Sequence, residues 1–127
     1  MATIACVIDA TYQENTIKAT WEGLVSGSVT GAPIPSNWLD YSDRSIQVVG
    51  TFGGATVTIQ GSNDEGVTYG TINDDTGTAL TFATTSGLIK QATTICAGVR
   101  PSVTSDTGTT DLDVIAICHR PRSGQEG

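Results

Sequence analysis

The stretch "GTFGGATVTIQGSNDEGVTYGTINDD", Gly50 to Asp75, decides the fold. Within it "ATVTIQG" alternates Val57 and Ile59 with Thr56, Thr58 and Gln60. A period of two puts the apolar pair on one sheet face and the hydroxyl and amide side chains on the other. "SNDEG" follows as a turn, because Asn and Asp bond to their own backbone and Gly accepts positive φ. "VTYGTI" then returns as a strand with Val67 and Tyr69 facing away from Thr68, and "NDDTGT" turns again. Gly50 and the Gly53-Gly54 pair permit a sharp turn after "SIQVVGTF", where Ile46 and Val48 point inward. The unit reads as scaffold, its register set by Thr-rich faces and an Asn-Asp-Glu-Gly turn. Function then belongs in loops and terminal surfaces.

The same period extends in both directions. Upstream, Ile4, Cys6 and Ile8 share one side of a strand from Thr3 to Asp9, followed by a polar connection, "TYQENT". In "IKATWEGL", Ile17, Ala19 and Trp21 oppose Lys18, Thr20 and Glu22, which makes Trp21 a core residue. "SGSVTGAPIPSNWLDYSD" is a long loop with one short strand near Val29; loops of this length cover something, bind something or reach a neighbour. Downstream come "ALTFA", with Leu80 and Phe82 inward, and a short "LIKQ". "TTICAGVRPSV" follows, with Ile95, Ala97, Val99, Pro101 and Val103 on one face. Pro101 cannot donate to a ladder, which argues for an edge strand or a bulge. "TSDTGTTD" reads as a hairpin turn before "LDVIAIC", the most apolar strand. No segment sustains a 3.6-residue period. Eight or so short strands separated by turns predict an all-β antiparallel β-sandwich or jelly-roll-like small barrel with little helix. One domain spans residues 1–127, with a flexible tail from about 119 to 127.

Composition agrees and excludes several functions. A chain of 127 residues supports one core. Abundant Thr and 15 Gly suit half-wet strands and tight turns. The net charge of −7 leaves no basic stripe for nucleic acid, since "HRPR", His119 to Arg122, is the only basic cluster. No segment has the length of a membrane span. "TIACVID" lacks the features of a signal peptide, and Cys6, Cys96 and Cys118 form an odd set without CxxC spacing. Synthesis in a reducing cytoplasm is expected, with the thiols as small buried hydrophobes. Cys96 and Cys118 fall on neighbouring predicted strands, which allows a bridge, but none is expected.

The acidic groups sit at Asn63-Asp64-Glu65, Asn73-Asp74-Asp75, and Asp106 with Asp111 and Asp113. Calcium could use such oxygens, but no complete calcium loop is spelled out, and each cluster falls on a predicted turn. His119 stands beside the tail, without a third group to orient it as catalytic sets require. Neither a catalytic residue, nor a metal ligand, nor a cofactor is assigned, and the chain reads as no enzyme. "SNWLDYSD" presents Trp38, Leu39 and Tyr41, side-chain types enriched in interface anchors. A loop folded over its own sandwich and a loop offered to a partner both fit it.

The order of pieces resembles a known group. "ATWEGL", "GSVTGAPI", "YSDRSIQVVGTFGGATVTIQGSNDEGVTYGTINDDTGTALTF" and "GVRPSVTSDTGTTDLDVIAI" are similar to small virion proteins of tailed bacteriophages, most of all to capsid decoration (cement) proteins. The likeness covers about Ile17 to Ile117, and "SIQVVGTFGGATVTIQGSNDEG" is its most specific part. That group often has Trp where Tyr69 stands, a departure that concerns packing only. The resemblance implies a protein made in a bacterial host and carried on the virion surface. Its partner there would be the major capsid protein of the head, and the protein itself a homo-oligomer, with a trimer favoured. The residues expected to make contacts are Thr3, Ile4, Ala5, Cys6 and Val7 at the start, Trp38, Leu39 and Tyr41 in the loop, and Arg44 and Arg100 as rim charges. A tail or baseplate component shares this fold and context. "VTIQGSNDEGVTY" also resembles the hairpin of discoidin-like jelly rolls that bind sugars or lipids.

Overall fold

The computed structural model describes residues 3–13, 15–25, 30–34, 41, 43–64, 66–84, 86–92 and 98–119, with the side chains of 11–13 left aside. They form an all-β sandwich of two sheets. The strands are β1 (Thr3–Ile4), β2 (Val7–Gln13), β3 (Thr16–Val25), β4 (Thr30–Gly31), β5 (Asp43–Thr51), β6 (Thr56–Ser62), β7 (Gly70–Thr71), β8 (Thr81–Phe82), β9 (Ile89–Ala92), β10 (Gly98–Thr104) and β11 (Asp111–His119). One sheet has the order β1-β4-β10-β6-β7, with β8 also on β6; the other runs β2-β3-β11-β5-β9. Pairing is antiparallel except between β1 and β4.

The period-two pattern is realised where it was strongest. Val57 and Ile59 on β6, Ile17, Ala19 and Trp21 on β3, and Ile46 and Val48 on β5 are all buried between the sheets, as are Leu80 and Phe82. "LDVIAIC" becomes β11 at the centre of the five-stranded sheet, between β3 and β5. Trp21 joins the layers as well as filling them: its Nε1–H donates to the carbonyl of Ala32 at 2.7 Å. Gly31 makes this approach feasible, because a Cβ there would stand 2.5 Å from Trp21 Cδ1 and 2.7 Å from the Pro101 ring.

Several expectations are corrected. Thr3 to Asp9 is not one strand: β1 lies in one sheet and β2 in the other, so the chain crosses layers at Ala5-Cys6. β2 continues to Gln13, into the segment read as a connection. "TSDTGTTD" is an arch between sheets and not a hairpin, because β10 and β11 lie in different layers. The Phe52–Ala55 turn between β5 and β6 is a second such arch. Turn residues report that a chain reverses, and both destinations bury the same inward row. The two arches clasp each other: Thr110 Oγ1 donates to the Phe52 carbonyl at 2.9 Å, and Thr107 Oγ1 to the Gly53 carbonyl at 2.8 Å. Gly50 suits this corner, with φ at 121° and the Asp111 carbonyl 2.3 Å from where a Cβ would be.

Pro101 is neither at an edge nor in a bulge, since β10 pairs in register with β6 from Gly98 to Thr104 and also meets β4. Its partner Ile59 directs N–H and carbonyl away, to Leu80 and Ile72, so this pair exchanges no bond and a missing N–H costs nothing there. Val67 is 82% exposed, and of the predicted "VTYGTI" strand only the end from Gly70 to Ile72 bonds to β6. The reason is local: Asp64 captures the Val67 N–H with its carbonyl and the Thr68 N–H with its side chain, which prolongs the turn.

Candidate functional site

Asp64, Asp74 and Asp113 are committed to the fold. Asp64 Oδ1 accepts from Ser62 Oγ at 2.7 Å and from the Thr68 N–H at 2.8 Å. Asp74 Oδ1 accepts from the Thr76 N–H, the Thr76 hydroxyl and the Thr78 N–H within 3.1 Å. These bonds hold both carboxyls below the usual carboxylate range, the Thr68 amide leading for Asp64 and the Thr76 hydroxyl for Asp74. Asp113 Oδ1 accepts from the Gly23 N–H at 3.0 Å, securing β3 where its register with β11 shifts between Leu112 and Val114. Two acidic clusters are therefore turn hardware, as Asx chemistry predicts. Among the described residues, no group of three or more His, Cys, Asp or Glu stands together to hold a metal.

Arg44 corrects a prediction. It is 2% exposed and faces inward on β5, so on this chain alone it is no rim charge. Period two explains the outcome: Arg44 stands two residues before the buried Ile46, in a cross-strand row with Ala92, Cys118 and Ile17. Among the described residues its Nε and Nη1 have no hydrogen-bond partner. Cys118 is buried beside it and Cys6 is half-buried; both are free thiols. Burial pushes Cys118 up to about 11, with the Arg44 charge and hydrogen bond pulling against it. Burial pushes Cys6 up to about 12, aided by Cys118. Such thiols are poor nucleophiles near neutrality, and they behave as the packing groups the sequence suggested. Cys96, and with it the Cys96–Cys118 question, lies outside the described residues.

Arg100 is half-buried on the outer face of the six-stranded sheet. Its guanidinium stacks 3.6 Å from the Tyr69 ring centroid, and its Nε–H donates to Gln60 Oε1 at 2.9 Å. Tyr41 is half-buried and packs against the core, while Trp38 and Leu39 lie outside the described residues. Thr3 and Ile4 pair with Thr30 and Gly31 of their own chain, and Val7 with Thr20. Ile4 and Cys6 pack against the core. The segment is thus not a free arm; Thr3, Ala5 and Val7 remain exposed.

The feature that sequence reasoning missed is the outer face of the five-stranded sheet. Register places Val7, Thr20, Ile115, Gln47 and Ile89 in one row across all five strands. Asp9, Lys18, Ile117, Ser45 and Gln91 form the next. Val7 is 61% exposed and Ile89 58%. Val7, Asp9, Lys18, Thr20, Glu22, Asp113 and Ile115 line a shallow depression on this face. A signal was available: in "LDVIAIC" the outward set carries Ile115 and Ile117 beside Asp113, more apolar surface than a strand with one wet face needs.

Compared with known proteins, the chain matches no family model, no curated protein and no solved structure.

Proposed function

We propose that this chain is a structural protein of a virus particle, a decoration protein that seats on the outside of a tailed-phage head and reinforces it. The observation that carries the reading is a division of labour in the sandwich. Asp64 and Asp74 serve turns and the described thiols serve the core, while the outer face of the five-stranded sheet stays partly apolar. Apolar area of that kind serves attachment to other protein. The resemblance over Ile17 to Ile117 supplies the particle.

The mechanism is mass action. A protein that binds only the assembled shell stabilises it by RT ln(1 + [L]/Kd), about 2.7 kcal/mol per site at a hundredfold excess over Kd. Repetition by symmetry turns weak contacts into avidity. The contacts come from Trp38, Leu39 and Tyr41, from the exposed Thr3, Ala5 and Val7, and from β2, an edge strand among the described residues, where the major capsid protein can add a strand. Purified chain is added to decoration-free expanded heads, and separately to tails. Co-sedimentation with heads and a higher disruption temperature support the reading. Binding to tails alone, or no change in heat resistance, defeats it.

A further inference from the structure

The strands of the six-stranded sheet hold one ionisable side chain, Arg100, and no Asp or Glu. Those of the five-stranded sheet hold five carboxylates, at Asp9, Glu22, Asp43, Asp111 and Asp113, and the whole chain carries −7. Arg100 is therefore a lone cation on a carboxylate-free sheet of an acidic protein. We infer that the outer face of this sheet docks on a carboxylate-bearing protein surface, with Arg100 as the anchor and one carboxylate of the partner held across the end of its guanidinium. The inference deepens the proposed seating on a phage head and rests on it, the partner being the shell protein.

The anchor is already set in place. Arg100 Cζ lies 3.6 Å from the Tyr69 ring centroid, and Nε–H donates to Gln60 Oε1 at 2.9 Å. Stack and bond together fix the plane of the group, so little freedom is lost on docking. With Nε committed, the remaining donors are Nη1 and Nη2, which bond to no described residue and are not buried. They present two parallel N–H groups, the fork that a single carboxylate fills. The other described cations are placed differently. Arg44 is buried, Lys18 is already engaged, and Lys90 Nζ donates to the Thr81 carbonyl at 2.8 Å.

A row of hydroxyls runs beside the anchor. Register sets Thr3, Thr30, Ser102, Thr58 and Thr81 side by side across five strands, a span of about 19 Å. The row lies two residues along β10 from Arg100, roughly 6.6 Å away. Its members face outward, since their neighbours Ile4, Val103, Val57 and Phe82 face the core. Hydroxyls both donate and accept, which suits a polar partner surface around the carboxylate. Attachment through the apolar residues of the opposite face is a separate contact, so one chain can bridge two neighbours. The acids of the five-stranded sheet also repel an acidic surface and turn the carboxylate-free sheet toward it.

Co-sedimentation of the full chain with decoration-free expanded heads, titrated to saturation, reads the result. Arg100→Gln should weaken binding at least tenfold, and Thr58→Asp should do the same by placing a carboxylate on the face. Arg100→Lys should weaken it severalfold, because an ammonium keeps the charge and lacks the fork. Thermal melting of each variant separates a folding defect from lost docking. Converting the carboxylates of the heads to neutral amides should cost the wild-type chain at least tenfold in affinity and Arg100→Gln little. The inference is overturned by a folded Arg100→Gln, Arg100→Lys or Thr58→Asp that binds like wild type, or by amidation that costs wild type and Arg100→Gln equally. Wild-type binding with unaffected variants removes this inference alone, whereas a wild-type chain that binds no head removes the decoration role with it.

Discussion

Replacing Thr110 by Val tests whether hydroxyls, and not apolar burial alone, fasten the two sheets at their arches. Thr110 is fully buried, and its Oγ1 both donates to the Phe52 carbonyl at 2.9 Å and accepts from the Thr107 N–H at 2.9 Å. Valine keeps the shape and removes both bonds. The Phe52 carbonyl retains the Ala55 N–H at 3.0 Å, so it is not orphaned outright. Two lost bonds at about 1 kcal/mol each give a destabilisation of about 2 kcal/mol. For 127 residues the unfolding entropy is about 0.27 kcal/mol/K, and Tm should fall by about 7 °C. Calorimetry and urea titration measure this. Thr110→Ser, which keeps the hydroxyl, should recover most of the loss, and Thr104→Val at an exposed strand end should change little. A Thr110→Val chain melting within about 1 °C of wild type would refute the clasp as a source of stability.

Gly31→Ala should destabilise by about 1–3 kcal/mol and shift the Trp21 indole N–H resonance, because the new methyl meets the indole and the Pro101 ring; an unchanged spectrum would contradict the packing. Arg44→Met should be neutral or stabilising by about 1 kcal/mol in urea titration, since Nε and Nη1 are buried without partners among the described residues. A loss above about 2 kcal/mol would show that the guanidinium is better compensated than the geometry indicates. Both described thiols have raised values in the fold, so unfolding releases their protons first at high pH. Their contribution is intact below about pH 9 and declines as pH rises toward 11 and 12, and stability should fall across that window. A flat alkaline profile would refute it. Native Cys118 should also resist alkylation at neutral pH and react freely in urea.

The legible parts of this fold were those where one residue's environment follows from its neighbours two positions away. "ATVTIQG", "IKATW" and "SIQVV" assigned their inward rows correctly because alternation needs no knowledge of the rest of the chain. Arg44 fell on the inward side of such a row, and its charge argued misleadingly for the surface. The acidic turns were legible for the same local reason, since Asp64 and Asp74 bond within four residues of themselves.

Sequence by itself determined the all-β class, the core residues and the turns, since each depends on short-range periodicity and side-chain-to-backbone chemistry. Tertiary structure alone decided which turns stay within a sheet and which arch across. It also placed Pro101 in an interior strand and gathered Val7, Ile115 and Ile89 into one row. These outcomes depend on pairing between strands far apart in the chain: β11 beside β3 and β5, and β10 beside β6. Many registers bury the same apolar rows, and only cross-strand packing and shared hydrogen bonds choose among them.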